Sequence, residues 1–112
     1  MVRGDVYDAR LNPTEGSEQG GARPVIVVSR DAINRNSPVV VVIPLTDATN
    51  VKRLYPNNVH VAAGEGGLSM ASVALAGQVR AVAVSRLFRR RGSLSADTMR
   101  AIDRALRITL DL

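Results

Sequence analysis

The chain has 112 residues, no cysteine and a formal charge of +5, which is length enough for one domain with its own core but leaves no thiols for a disulfide framework or a thiolate metal site. No apolar run approaches the ~20 residues of a membrane span, and Met1–Leu11 lacks the apolar centre of a signal peptide, so a cytoplasmic protein is expected. Every basic residue except Lys52 is arginine; its planar fork suits phosphate, so the charge points to nucleic acid or an acidic partner, while Tyr7, Tyr55 and Phe88 are too few for a sheet that stacks successive bases.

Arg3–Leu11 alternates as a strand, with Tyr7, Ala9 and Leu11 on one face and Asp8 and Arg10 on the other, until Asn12 and Pro13 break it. Asn12–Ala22 has no apolar periodicity, and a loop of that length in a compact domain is usually functional. Its end, Gly16 to Pro24, reads G-S-E-Q-G-G-A-R-P. The paired glycines allow tight turns, and Pro24 pushes Arg23 toward an extended conformation, so a polar loop hands a cation directly to a strand. Ser17, Glu18 and Gln19 add a hydroxyl, a carboxylate and an amide to that loop.

Val25–Val28 reads as a buried strand, Asp31–Asn36 as a single turn, and Val39–Leu45 as the most apolar strand, with Pro44 near its end. A second long loop, Thr46–Pro56, carries Lys52 and Arg53. Strands are expected at Asn58–Ala62, Ser72–Val79 and Leu87–Arg91, with a glycine turn at 64–67. Ser95 caps a final helix whose Met99, Ile102, Leu106 and Leu110 recur at core spacing, with an Asp103–Arg107 pair on the outer face. Short strands, two long polar loops and one terminal helix indicate a mainly β, α+β domain spanning 1–112, an antiparallel sheet curled into a partial barrel with both loops beside one groove.

R-G-D-V-Y at Arg3–Tyr7, the Gly16–Val28 block, N-R-N-S-P at Asn34–Pro38, P-L-T at Pro44–Thr46, Q-V-R at Gln78–Arg80 and the last helix together resemble the MazF/PemK family of toxin ribonucleases. The resemblance runs in order along essentially the whole chain. It implies a small SH3-like, partly open antiparallel β-barrel with a C-terminal helix, a homodimer, and metal-independent cleavage of single-stranded RNA that leaves 2′,3′-cyclic phosphate and 5′-hydroxyl ends. A cognate acidic antitoxin is the implied inhibitor, and no cofactor is implied. The family's catalytic arginine falls on Arg23, its threonine on Thr46, its loop glutamate on Glu18 and its glutamine on Gln78. Similar proteins commonly carry a glutamate just before that glutamine, where this chain has Gly77, which weakens Gln78 as a base contact.

The residue chemistry agrees with that assignment. When a 2′-oxygen attacks its own phosphodiester, negative charge gathers on the phosphoryl oxygens, and a desolvated guanidinium such as Arg23 stabilises it, with Thr46 adding a hydroxyl hydrogen bond. Arginine hardly deprotonates, so the proton acceptor is sought in Glu18, whose alternative role is a salt bridge orienting Arg23. Ser17, Gln19, Lys52, Arg53, Gln78 and Arg80 are candidate RNA contacts, with Lys52 and Arg53 equally readable as a solvated pair and Arg80 as a dimer contact. Arg89–Arg91 reads as charge protecting an exposed edge. His60 is the sole histidine, which excludes a two-histidine ribonuclease, and the acidic residues show no metal-binding spacing. The competing readings are a gyrase-binding, non-enzymatic toxin on the same fold, as in the CcdB family, and an RNA-binding module without turnover.

Overall fold

The computed structural model describes residues 1–112. Seven strands form one antiparallel sheet: β1 (Asp5–Arg10), β2 (Ala22–Val27), β3 (Val39–Asp47), β4 (Asn58–Val61), β5 (Ser72–Leu75), β6 (Arg80–Ala83) and β7 (Leu87–Ser93). Their order is β4-β5-β3-β2-β1-β7, with β6 also on β3, so the sheet coils but stays open. Two helices complete the fold, α1 (Asp31–Asn36) and α2 (Ala96–Leu110).

The valine-rich β3 organises the sheet because it is long enough to change partners. Its first half pairs with β6 (Val39↔Ala83 to Val42↔Arg80) and its last residues pair with β5 (Leu45↔Ala74 to Asp47↔Ser72). Along its other edge it pairs with β2 only from Val27↔Val42 to Val25↔Pro44. One sheet face packs Val6, Ile26, Ile43, Leu45 and Val61 against Ile102 and Ala105 of α2. The other gathers Leu11, Val25, Val27, Val40 and Val42. The two clusters are separate because side chains alternate across the pleat.

α2 begins where expected: the Ser95 hydroxyl accepts the Thr98 N–H (3.2 Å). The Glu65 carboxylate reinforces this cap, accepting from the N–H and hydroxyl of Ser95, both at 3.0 Å. Thr98 and Ser95 favour the charged form of Glu65 and hold its pKa below the usual value against the opposing effect of desolvation.

Several expectations need correction. Asp8 is buried, because it neutralises arginines of β7. Thr46 belongs to the end of β3 and pairs with Val73, so the second loop starts later than expected. The stretch read as one strand at Ser72–Val79 ends at Leu75 and turns through Ala76–Gln78, and β6 then returns to β3. Asp103 pairs with Arg3 (2.7 Å) and not with Arg107. Leu110, the last residue of α2, is 51% exposed and not part of the core face.

Candidate active site

The site originates in an interruption of the β2–β3 ladder. The Val28 N–H donates to the Val41 carbonyl (2.9 Å), so in regular alternation the backbone groups of Ile26 and residue 24 also point at β3. Residue 24 is proline, which has no N–H to offer the Leu45 carbonyl opposite, and the ladder stops. Beyond it, Arg23 keeps its pairing with Ala9 of β1, and Thr46 pairs with Val73 of β5. Continuing the β2–β3 register would set Arg23 directly opposite Thr46. The β2–β3 hydrogen bonding does not continue to them, and both residues line a cleft of about 280 Å³ with Asp47, Asn50, Ser69 and Arg91.

Arg23 is half-buried and held from one side, its Nε donating to the Gly20 carbonyl (2.8 Å). That carbonyl is fixed by a tight loop. A Cβ on Gly20 would lie 2.6 Å from the Thr14 hydroxyl and 2.7 Å from Asn12 Oδ1. Gly21, at φ +71°, donates its N–H to the same Asn12 oxygen (3.0 Å). The paired glycines therefore serve a close approach and a left-handed turn, and they leave the terminal nitrogens of Arg23 without a protein acceptor. Thr46 is 6% exposed, and its Oγ1 accepts from Asn50 Nδ2 at 3.3 Å. One lone pair is engaged, and the O–H has no protein acceptor, so the hydroxyl is free to donate to a group in the cleft. Asp47 caps the following turn, its Oδ1 accepting the N–H and hydroxyl of Thr49, both at 2.9 Å, while its Oδ2 has no protein partner.

Thr46 and Asn50 also form the wall of a wider neighbouring cleft of about 640 Å³, lined by Gln19, Lys52, Arg53, Asn57, Asn58 and Gln78 among others. Four expected contact residues, Gln19, Lys52, Arg53 and Gln78, thus meet in one cavity. Arg53 lies 5.3 Å above the exposed Tyr55 ring at its rim. Gln78, though, has its carboxamide engaged: Oε1 accepts the Gln19 N–H (2.8 Å) and Nε2 donates to the Ser17 carbonyl (3.4 Å). It latches the first loop.

The remaining candidates stand apart from Arg23. Glu18 lines a separate cleft with Gly77, Gln78, Val79 and Arg80; it accepts the Glu15 N–H (3.3 Å) and makes no ion pair with Arg23. The salt-bridge role considered for it is absent: Glu18 borders a different cleft from Arg23. Arg80 donates to the Leu11 carbonyl (3.5 Å), and Arg86 to the carbonyls of Arg10 (3.1 Å) and Asn12, so both anchor the entry of the first loop. Ser17 is exposed and only its carbonyl is engaged. His60 is exposed on β4. No three His, Asp or Glu side chains gather closely enough to hold a metal ion.

Sequence reasoning missed Asn50 and Arg91. Asn50 lies four residues after Thr46 in a short turn whose shape the composition does not reveal. Arg91 reads in sequence as part of an exposed charged edge, and only the burial of Asp8 would have signalled an inward-facing arginine.

A family model described as the PemK-like, MazF-like toxin of type II toxin–antitoxin systems matches residues 2–110. A Staphylococcus epidermidis protein, Endoribonuclease MazF, is 42% identical over 110 residues, covering 98% of this chain and 91% of that protein. Among solved structures, MazF from Deinococcus radiodurans superposes with a TM-score of 0.85 at 26% identity, covering 100% of this chain and 97% of that one. A mycobacterial endoribonuclease in complex with its cognate antitoxin gives 0.82 at 27%, covering 100% and 96%.

Proposed function

Because the chain belongs to the PemK-like, MazF-like toxin family of type II toxin–antitoxin systems, with the match running over residues 2–110, we propose that it is a single-domain endoribonuclease toxin that cuts single-stranded RNA in the cytoplasm. The observation that carries the mechanism is that Arg23 and Thr46, just past the last β2–β3 pair, line one cleft. An RNA phosphodiester lies between them. As the 2′-oxygen attacks phosphorus, the free terminal N–H groups of Arg23 donate to the phosphoryl oxygens and Thr46 donates its hydroxyl. Fixed donors of this kind contribute about 3 kcal/mol each to a transition state. The P–O5′ bond then breaks and the 5′-oxygen takes a proton from solvent water, giving a 2′,3′-cyclic phosphate and a 5′-hydroxyl, with no metal needed because the guanidinium carries the compensating charge.

Glu18 takes the 2′-proton in this scheme only after the first loop carries it toward Arg23, so its role is separable from that of the arginine. Sequence selectivity resides in the wider cleft, where Gln19 offers a whole carboxamide to base edges, Asn57 its Oδ1 with Nδ2 bonded to Thr109, and Asn58 its Nδ2 with Oδ1 accepting the Tyr55 N–H. Lys52 and Arg53 hold flanking phosphates, and Ser17 and Arg80 support the loop that borders the RNA. The toxin acts as a homodimer, and an acidic antitoxin silences it by covering the basic groove; one relative of this fold is known in complex with its cognate antitoxin.

The test is a mixed-sequence single-stranded RNA incubated with the purified protein in EDTA. Discrete fragments with 5′-hydroxyl and cyclic phosphate ends are expected. Intact RNA, or cleavage only after magnesium is added, overturns the reading, and intact RNA together with inhibition of gyrase favours a CcdB-like poison.

A further inference from the structure

Arg91 lines the same cleft as Arg23 and Thr46, and its surroundings resemble a built site more than a charged edge. Its Nε and Nη2 donate to the Gly67 carbonyl at 3.3 and 3.0 Å, and its Nη1 donates to Asp8 Oδ1 at 3.1 Å. These bonds leave one N–H on each terminal nitrogen without a protein acceptor. The frame behind them is rigid. A Cβ on Gly67 would fall 2.0 Å from the Arg91 carbonyl oxygen, and one on Gly92 would fall 2.8 Å from the Gly66 carbonyl carbon, so the Gly64–Gly67 turn presses directly on β7.

Charge balance points the same way. Asp8, with its side chain only 10% exposed, pairs with both Arg89 (2.6 Å) and Arg91. Two guanidiniums against one carboxylate leave one positive charge in excess, and of the two only Arg91 borders the cleft. Ser69, beside it, has a hydroxyl that bonds to no protein group. The one carboxylate lining the same space, Asp47, has its Oδ1 bonded to Thr49 and its Oδ2 without a protein partner, and Arg23 in the same cleft balances its charge, so the excess at Arg91 remains.

We propose that Arg91, with the Ser69 hydroxyl, forms a second phosphate subsite that binds the RNA phosphate adjacent to the one held by Arg23, and that Asp8 and the Gly67 carbonyl keep its guanidinium aimed there. The assignment rests on the endoribonuclease reading for the identity of the ligand, an RNA phosphodiester. Because the subsite holds a non-reacting phosphate, it acts on binding and leaves the chemical step alone.

Binding is measured by fluorescence anisotropy with a mixed-sequence, fully 2′-O-methylated RNA oligonucleotide, which the protein binds but does not cut, across a salt series; kcat and KM are measured separately on unmodified RNA. For Arg91→Ala the expected result is a Kd and a KM raised about tenfold, kcat within about twofold, and a salt slope reduced by about 0.7, the value for one single-strand phosphate contact. Arg91→Lys keeps the charge and restores most of the slope. Arg89→Ala, which removes the same charge outside the cleft, leaves the slope unchanged. Should Arg91→Ala not fold, Arg91→Gln carries the same expectation. An unchanged Kd and slope in a folded Arg91 variant, or an equal loss in Arg89→Ala, overturns the subsite. Wild-type protein that binds the methylated oligonucleotide with these slopes but leaves unmodified RNA intact refutes the endoribonuclease reading while the phosphate subsite stands.

Discussion

Replacing Pro24 with valine restores the one backbone donor whose absence ends the β2–β3 ladder. The new N–H faces the Leu45 carbonyl, and the resulting hydrogen bond adds about 1 kcal/mol. Losing proline's restriction of the unfolded chain removes a similar ~0.4–1 kcal/mol, so stability should change by less than ~0.5 kcal/mol. Function should not be preserved. Extending the ladder draws β2 and β3 toward the ~4.5–5.5 Å Cα spacing of paired strands, and the cleft between Arg23 and Thr46 narrows. A misplacement near 1 Å costs about a hundredfold in rate, so Pro24→Val should cleave RNA about a hundredfold more slowly in single-turnover assays. Amide hydrogen exchange reports the cause, because the N–H introduced at position 24 should be protected to the level of its neighbours in β2. A protected amide there with wild-type cleavage refutes the idea that the missing β2–β3 hydrogen bond helps make the site. An unprotected one refutes the explanation that proline alone stops the ladder.

Asn50→Ala should lower kcat about tenfold with little change in KM, because the Thr46 hydroxyl loses the partner that orients it; equal kcat for the variant removes Asn50 from the site. Gln78→Ala should speed proteolysis within the Asn12–Gly21 loop and raise KM several-fold, since both ends of the latch are lost; an unaltered proteolysis rate contradicts the latch. Glu65→Gln addresses the α2 cap. The folded pKa of Glu65 lies below its ordinary value of 4.5, so its contribution is present above the unfolded pKa and disappears as pH falls through the folded one. Wild type should exceed Glu65→Gln in stability by about 0.5 kcal/mol at pH 7, a value discounted for exposure, and the two should converge near pH 3 in urea titrations.

Local features are legible in the sequence, and their meeting points are not. The loop-to-strand junction at Arg23–Pro24 follows from proline's effect on its neighbour, and the Ser95 cap and the Ile102–Ala105 face follow from residue type and helical period. Thr46 reads as part of a loop, because Pro44 resembles the end of the strand. In the fold, Pro44 sits opposite Val25, and β3 continues by changing partners to β5, which no local pattern encodes. Asp8 illustrates the same limit: alternation assigns it to the polar face, and only the pairing of β1 with β7 brings Arg89 and Arg91 over it. The separation of Glu18 from Arg23 is equally unreadable, since the glycine-rich loop between them allows either arrangement, and in the fold Glu18 accepts the Glu15 N–H beside a different cleft.

The most direct measurement is the single-turnover cleavage rate of Arg23→Ala on single-stranded RNA in EDTA, with folding checked by circular dichroism. A guanidinium that stabilises the pentacoordinate phosphate should be worth ~3–4 kcal/mol, so the folded variant should be slower by about 10²–10³-fold. A folded Arg23→Ala that cleaves within a few-fold of wild type contradicts the account at its centre.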